Sequence, residues 1–321
     1  VTAAISIAGV IKRFGPTLAV DRLDLTVPRG ALCGFLGRNG AGKSTTIRMI
    51  MSIIYPDEGS IEVLGGSALA AKDRIGYLPE ERGVYRKMRV GEFLAYMGRL
   101  KGLPASGLRS RVSRWLARIE LAGTERRRCS DLSKGMQQKV QFVAALLHEP
   151  ELVILDEPFS GLDPINAEVM QSIIAELARE GRTIIFSTHA MHQAERLCDQ
   201  IVLIDHGRKL LDSSMHSIRR TFNPRTVVVE PMDGEEHSGE RSVNLSELES
   251  LHGVLECARR GDGGVELLLS EECDARELLL EIAGRVPFRR LELRQVTLEE
   301  VFIRLVRSTP APERATSAAT V

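Results

Sequence analysis

The 321 residues are 43% hydrophobic and 27% charged, which suits a folded protein with a sizeable core and excludes a disordered chain. Lysine plus arginine number 43 and aspartate plus glutamate also 43, so no overall basic excess argues for nucleic acid or an anionic membrane, and only local patches stay open. Five cysteines (33, 129, 198, 257, 273) are odd in number, scattered and without a CxxC pair, which speaks against a disulfide framework or a zinc site and fits a reducing compartment. The longest apolar runs, such as FVAALL (142–147), fall far short of the roughly 18–20 residues that span a bilayer. The first residues lack a charged start followed by an apolar signal core, so the chain is expected to be soluble and cytosolic.

Along the chain, the first strands, including DRLDLTV (21–27) with its alternation, suggest an antiparallel lead-in. Strand-like runs then alternate with helical patterns to about residue 210. The strands are ALCGFLG (31–37), GSIEVLG (59–65), RIGYLP (74–79), ELVILDEP (151–158), TIIFSTH (183–189) and QIVLIDHG (200–207). The runs around Leu152 and Ile184 are continuously apolar, as in parallel strands buried on both faces. Helices are predicted at KSTTIRMIMSII (43–54), INAEVMQSIIAELARE (165–180) and AMHQAERLCD (190–199). A helical insert is placed at about 89–145, with VGEFLAYMGRLKGLP and SGLRSRVSRWLARIELAG as its first two helices. Within it, ERRRC (125–129) reads as a solvated loop. The layout is α/β.

After residue 220 the composition shifts. Strand TVVVE, a short helix near 246–251, strands VLECARR and VELLLS, helix DARELLLEIAGRV, strand FRRLELR and helix TLEEVFIRLVR are read in that order. The β-α-β-β-α-β series predicts a small α+β domain of split-βαβ, ferredoxin-like type. The loop PMDGEEHSGERS (231–242) is acidic. The predicted domains are 1–220 and 221–307, with a disordered tail at 308–321.

GFLGRNGAGKST (34–45) matches G-x-x-x-x-G-K-[ST] through Gly37, Gly42, Lys43 and Ser44, with an apolar strand before it and a helix after. Successive backbone N–H groups there meet the positive end of a helix and can bind phosphate oxygens. Lys43 would bridge the β and γ phosphates, and the Ser44 hydroxyl would ligate Mg²⁺. A glycine-rich turn with an incidental lysine would give this match on the order of one time in a hundred at this length, and the flanks lower that further. LVILDEP (152–158) supplies a buried strand ending in two carboxylates. Asp156 fits the metal-holding acid, and Glu157 is placed to orient and deprotonate a water. His189 ends the next strand, at the carboxyl edge where ligands gather, and could hydrogen-bond the γ-phosphate or the water.

The segment DLSKGMQQKVQFVAALLHEP (131–150) poses a separate question. Ser133 is a good N-cap, and Met136, Val140, Val143, Ala144 and Leu147 form an apolar face. Gly135 in the first turn costs roughly 1 kcal/mol relative to alanine, which an N-cap role leaves unexplained.

Taken in order, GRNGAGKST, LSKGM (132–136), LVILDEP, SGLD (160–163) and STH (187–189) resemble the nucleotide-binding subunit of ATP-binding-cassette (ABC) proteins across roughly residues 1–220. The resemblance implies that Gly37, Arg38, Asn39, Gly40, Ala41, Gly42, Lys43, Ser44 and Thr45 cradle ATP, and that Phe14 in KRFG stacks on adenine. It further implies a head-to-tail dimer in which Ser133, Lys134, Gly135 and Asp163 reach the ATP of the other subunit. Two positions depart from the family pattern. LSKGM stands for the usual LSGGQ, and Glu80 in GYLPEERGVY takes the place of a glutamine. Glu80 joins Ser44 and Asp156 as a metal-ligand candidate; a carboxylate there binds a cation more strongly than an amide but repels the γ-phosphate. PEERG and VTLEEVFIRLV (296–306) resemble a subgroup of type-2 exporters related to sodium-extrusion and drug-resistance systems, with a C-terminal accessory domain. The implied protein is an ATPase using ATP and Mg²⁺. It would pair with a second copy or a paralogous cassette, and it would drive a transmembrane permease on a separate chain from the cytoplasmic face. No nucleic acid is expected. The alternative, a soluble ABC ATPase acting on nucleic acid or ribosomes, would call for long coiled coils, zinc cysteines or a second cassette, and none is present.

Overall fold

The structure is a computed structural model and describes residues 2–81, 83–223, 225–232, 245–261 and 263–308. It divides into two compact units: the chain up to Met215 together with the segment from Phe302 onward, and His216–Val301. The predicted tail beyond Ser308 and most of the acidic loop, from residue 233, lie outside the described residues.

In chain order the first unit contains β1 (Ala3–Phe14), β2 (Thr17–Pro28), β3 (Leu32–Leu36), α1 (Lys43–Ile50), β4 (Glu58–Val63), β5 (Ile75–Leu78), α2 (Val90–Leu100), α3 (Leu108–Arg118), α4 (Lys134–Leu146), β6 (Leu152–Asp156), α5 (Pro164–Arg179), β7 (Thr183–Thr188), α6 (Met191–Leu197), β8 (Gln200–Asp205) and β9 (Arg208–Ser214). Six strands form one sheet in the order β5-β6-β7-β3-β8-β9, parallel except for β9. Every residue of β3, β6 and β7 is buried, as their unbroken apolar runs require. A second sheet, β2-β1-β4, is antiparallel.

The run GSIEVLG therefore lies outside the parallel series. As β4 it pairs with β1, and its mostly exposed residues suit a sheet with one face wet. Helix α1 stops at Ile50 rather than 54, because Ser52 turns left-handed (φ 54°) and the Ile53 N–H returns to Arg48 O at 2.9 Å. Strand β9 went unpredicted: RKLLDSS is too polar to signal a strand, and it survives as a half-wet edge. One core runs from Ile7 and Leu25 through Ile47 and Ile50 of α1 to Phe35, Ile154, Ile185 and Val202 of the parallel sheet.

The second unit contains α7 (Met215–Thr221), β10 (Thr226–Pro231), α8 (Leu245–Glu249), β11 (Val254–Arg259), β12 (Val265–Leu269), α9 (Ala275–Arg285) and β13 (Phe288–Leu293), and α10 (Leu298–Ser308) starts within it. Its antiparallel sheet has the order β11-β12-β10-β13. That is the ferredoxin-like arrangement expected from the β-α-β-β-α-β series. Val227, Val229, Val265, Leu267 and Leu269 alternate inward and meet Leu248, Leu251, Leu278 and Ile282 of the helical layer.

Candidate nucleotide-binding site

The parallel register brings the chemistry to one edge. Leu36 of β3 lies beside Thr188 of β7, and Asp156 of β6 lies beside Ser187. The glycine loop, the paired carboxylates and His189 thus leave three adjacent strands at their carboxyl ends, where open α/β sheets take ligands.

Two glycines of the loop leave no room for a side chain. A Cβ on Gly37 would sit 2.4 Å from Ile204 O, and one on Gly42 (φ 103°) would sit 2.6 Å from Ala19 O. Gly42 is the N-cap of α1 and offers no side-chain cap, and the first turn holds no acid, so the helix N-terminus is open to an anion. The Lys43 ammonium donates to Gly37 O (2.7 Å) and Arg38 O (3.2 Å). Burial lowers its pKa, while the carboxylates of Glu157, Asp156 and Glu80 act to raise it.

Asp156 is buried and accepts the Ser187 hydroxyl proton. Glu157 stands in the left-handed region (φ 47°), a strained conformation for this residue type. Its Oε1 accepts the His189 N–H at 3.0 Å and lies 2.8 Å from His189 Nδ1, and its Oε2 accepts the Thr188 hydroxyl at 3.2 Å. Three contacts from the end of β7 therefore aim one carboxylate.

A cleft of about 680 Å³ is walled by Asn39, Gly40, Gly42, Lys43, Ser44, Thr45, Glu80 and Glu157, with Arg13, Thr17, Leu18, Asp21, His206 and Arg208 on its other sides. Phe14 is not on that wall. Its half-exposed ring has the Lys12 ammonium 5.5 Å from its centroid, and it pairs across the β1–β2 hairpin with Thr17, which does line the cleft. Nor do Ser133, Lys134, Gly135 and Asp163 line the cleft of their own chain. Ser133 caps α4 by accepting the Met136 N–H (3.2 Å), and Asp163 caps α5 by accepting the Asn166 N–H (2.9 Å), which lowers the Asp163 pKa. A Cβ on Gly135 would come 3.2 Å from Leu162 Cδ2, so part of the reason for this glycine is packing within the chain.

Two residues escaped the sequence reading. Gln141 accepts the Gly83 N–H (3.0 Å) and donates to Glu81 O (3.1 Å), which ties α4 to the backbone just after Glu80. Gln138 donates to Pro158 O at 3.1 Å, which ties the same helix to the turn after Glu157. The available signal was polarity in the wrong place, since both amides are buried, with Lys139, among the apolar side chains of the helix.

Residues 20–160 match the ABC transporter family, and residues 214–306 match the C-terminal domain of DrrA1-3-like ATP-binding proteins. An uncharacterized ABC transporter ATP-binding protein of Bacillus subtilis (strain 168), YhaQ, is 39% identical over 303 residues, covering 94% of this chain and 98% of the relative. The chain belongs to the ABC transporter ATP-binding family. It is an ATPase subunit coupled to transport. A Nod factor export ATP-binding protein I of Rhizobium sp. (strain N33) is 35% identical over 311 residues, covering 94% and 96% of the two chains. A solved ATP-binding subunit of an ABC transporter superposes with a TM-score of 0.64 at 31% identity over 69% of this chain and 93% of that one. CbiO1 of Clostridium perfringens, at 24% identity and a TM-score of 0.60, shares the fold of this ABC cassette. Among the described residues no helix is long and apolar enough to cross a membrane.

Proposed function

We propose that this chain is the motor of an export system, with two cassettes closing head to tail on two MgATP molecules and driving a permease carried on a separate chain. Export is supported by the relatives named for Nod factor export and by the match of the C-terminal domain. In this reading the chain works at the cytoplasmic face of the membrane and is held there by the permease.

The loop amides and Lys43 bind the β and γ phosphates, and Phe14 supplies a ring for the base from the hairpin tip beside the cleft. Ser44 and Asp156 are hard oxygen donors that fit Mg²⁺, with Glu80 as a third candidate. Magnesium takes one or two carboxylates plus substrate phosphates and keeps several waters. When bound, the ion neutralises charge on the phosphates. Glu157 orients a water and takes its proton, and His189 holds that carboxylate and faces the γ-phosphate. From the second cassette Ser133, Lys134, Gly135 and Asp163 complete the phosphate shell at a helix N-terminus.

One observation carries this reading. An uncapped glycine-walled helix N-terminus and a carboxylate aimed by His189 open into the same cleft. Phosphate release by the Glu157→Gln chain tests it: turnover should collapse while ATP binding persists, and turnover near that of the unaltered chain would overturn it.

A further inference from the structure

The turn between β8 and β9 reaches back to the phosphate loop. Asp205 and Arg208 pair at the ends of the two strands, and His206 and Gly207 between them are both left-handed (φ 46° and 77°). That is a two-residue hairpin turn of type I′. Its tip presses on other backbone. A Cβ on Gly207 would sit 2.7 Å from Ala19 O and 2.9 Å from Val20 Cα. One on Gly42 would lie 2.6 Å from the same Ala19 O and 3.4 Å from Gly207 Cα. Strand β2, the hairpin tip and the phosphate loop therefore meet with no side chain between them.

Two backbone bonds cross this junction. The Gly207 N–H donates to Ala41 O at 2.9 Å, and the Asp21 N–H donates to Gly207 O at 3.0 Å. The first sets how the loop presents its donors. A trans peptide sends its C=O and its N–H in opposite directions, so holding Ala41 O on the hairpin turns the Gly42 N–H away from it. Gly42 lines the cleft at the N-terminus of α1, and its N–H belongs to the phosphate-binding set.

One ion pair holds the tip in place. Asp21 Oδ2 accepts the Arg208 Nε–H at 2.7 Å and lies 2.7 Å from a terminal nitrogen of the same guanidinium. The Asp21 side chain is 11% exposed and that of Arg208 52%, and both line the cleft. The hairpin itself does not call for this pair, because strand pairing from Gln200–Ser214 to Asp205–Arg208 already sets its register. What the pair joins is β2, an edge of the antiparallel sheet, to β9, an edge of the parallel one. The antiparallel sheet carries Phe14, proposed for the base, and the parallel sheet carries the loop proposed for the phosphates.

We infer that Asp21 and Arg208 are positioning residues for ATP: their pair locks the hairpin tip that aims the Gly42 N–H, and it ties the base-binding sheet to the phosphate loop. The assignment rests on the proposed ATP site and adds to it two residues that act through the backbone of the loop.

The test is phosphate release against ATP concentration for Arg208→Gln, Asp21→Asn and the double variant, with urea midpoints of the same chains. Each single change should raise KM about tenfold, the weight of one hydrogen bond to a charged group, and leave kcat within about twofold. The double variant should be no weaker than either single one, since the second change finds the pair already broken. Arg208 is half exposed, so its replacement leaves the core intact even where Asp21→Asn disturbs folding. A lowered urea midpoint with KM unchanged, or KM effects that multiply in the double variant, would overturn the inference. A Lys43→Ala chain run beside them separates the two readings. Turnover of that chain at the unaltered KM would remove the ATP site itself, whereas its failure beside an Arg208→Gln chain of normal KM would remove the pair alone.

Discussion

Replacing Glu157 by glutamine removes one charge and almost nothing else. Glutamine keeps an oxygen to accept the His189 N–H now bonded at 3.0 Å, and Thr188 can turn its hydroxyl toward Gln193, whose Oε1 is 3.5 Å away. The left-handed backbone (φ 47°) is no harder for glutamine than for glutamate. The folding cost is therefore that of weakening one or two hydrogen bonds, about 1 kcal/mol. Lys43 loses one of three carboxylates that favour its charge and keeps Asp156 and Glu80. The amides and ammonium that grip phosphate stay in place, with one negative charge fewer beside them. ATP should bind as tightly as before or more tightly. General-base assistance is worth about 10²–10⁴ in rate, a barrier increase of roughly 3–5 kcal/mol. Phosphate release measured beside light scattering should show slow turnover and an ATP-dependent dimer that persists. A Glu157→Gln chain turning over within a few-fold of the unaltered chain would refute the assignment of the base.

Gly37→Ala puts a methyl 2.4 Å from the backbone oxygen of Ile204, which cannot swing away as a side chain would. Overpacking of this kind costs about 1–3 kcal/mol; thermal melting should fall by several degrees and ATP affinity should drop, and an unchanged Tm with normal affinity would contradict the geometry. His148 gives a pH dependence. Its Nε2 bonds Ile75 O (3.1 Å), its buried Nδ1 has no partner among the described residues, and burial, with the Lys101 charge second, pushes its pKa down to about 4 from 6.5. The unfolded chain then binds the extra proton first, so stability is intact above about pH 6.5 and declines as pH falls toward 4, by roughly 1–2 kcal/mol once solvent screening of the partly exposed ring is allowed for. Urea midpoints of the His148→Gln chain should decline less over that window than those of the unaltered chain, and parallel curves would remove His148 as the cause.

The residues most legible in the sequence were those whose chemistry is local. Lys43, Asp156, Glu157 and His189 announce themselves because a strand, a turn and a reactive group occur in immediate succession, and parallel pairing needs nothing more to converge them. What stayed hidden depends on partners distant in the chain. GSIEVLG is apolar enough for either sheet, and only pairing with β1 assigns it to the antiparallel one. RKLLDSS is a strand because β8 offers it an edge, not because of its own composition. Gln138 and Gln141 look like solvated positions until the turn at 158 and the backbone at 81–83 fold against them. Gly135 shows the reverse case. Its oddity was visible, and the fold supplies a neighbour in Leu162, which sequence spacing could not name.

The account stands on a site shared between two copies, and mixing two inactive chains measures that directly. A Lys43→Ala chain loses its own phosphate grip, and a Ser133→Arg chain blocks the site of its partner. In a head-to-tail pair of the two, the intact loop of one meets the intact helix tip of the other. With random pairing of a two-fold dimer, turnover should recover to roughly a quarter of that of the unaltered protein. Turnover that never exceeds the sum of the separate chains would show that Ser133 does not serve the neighbouring subunit.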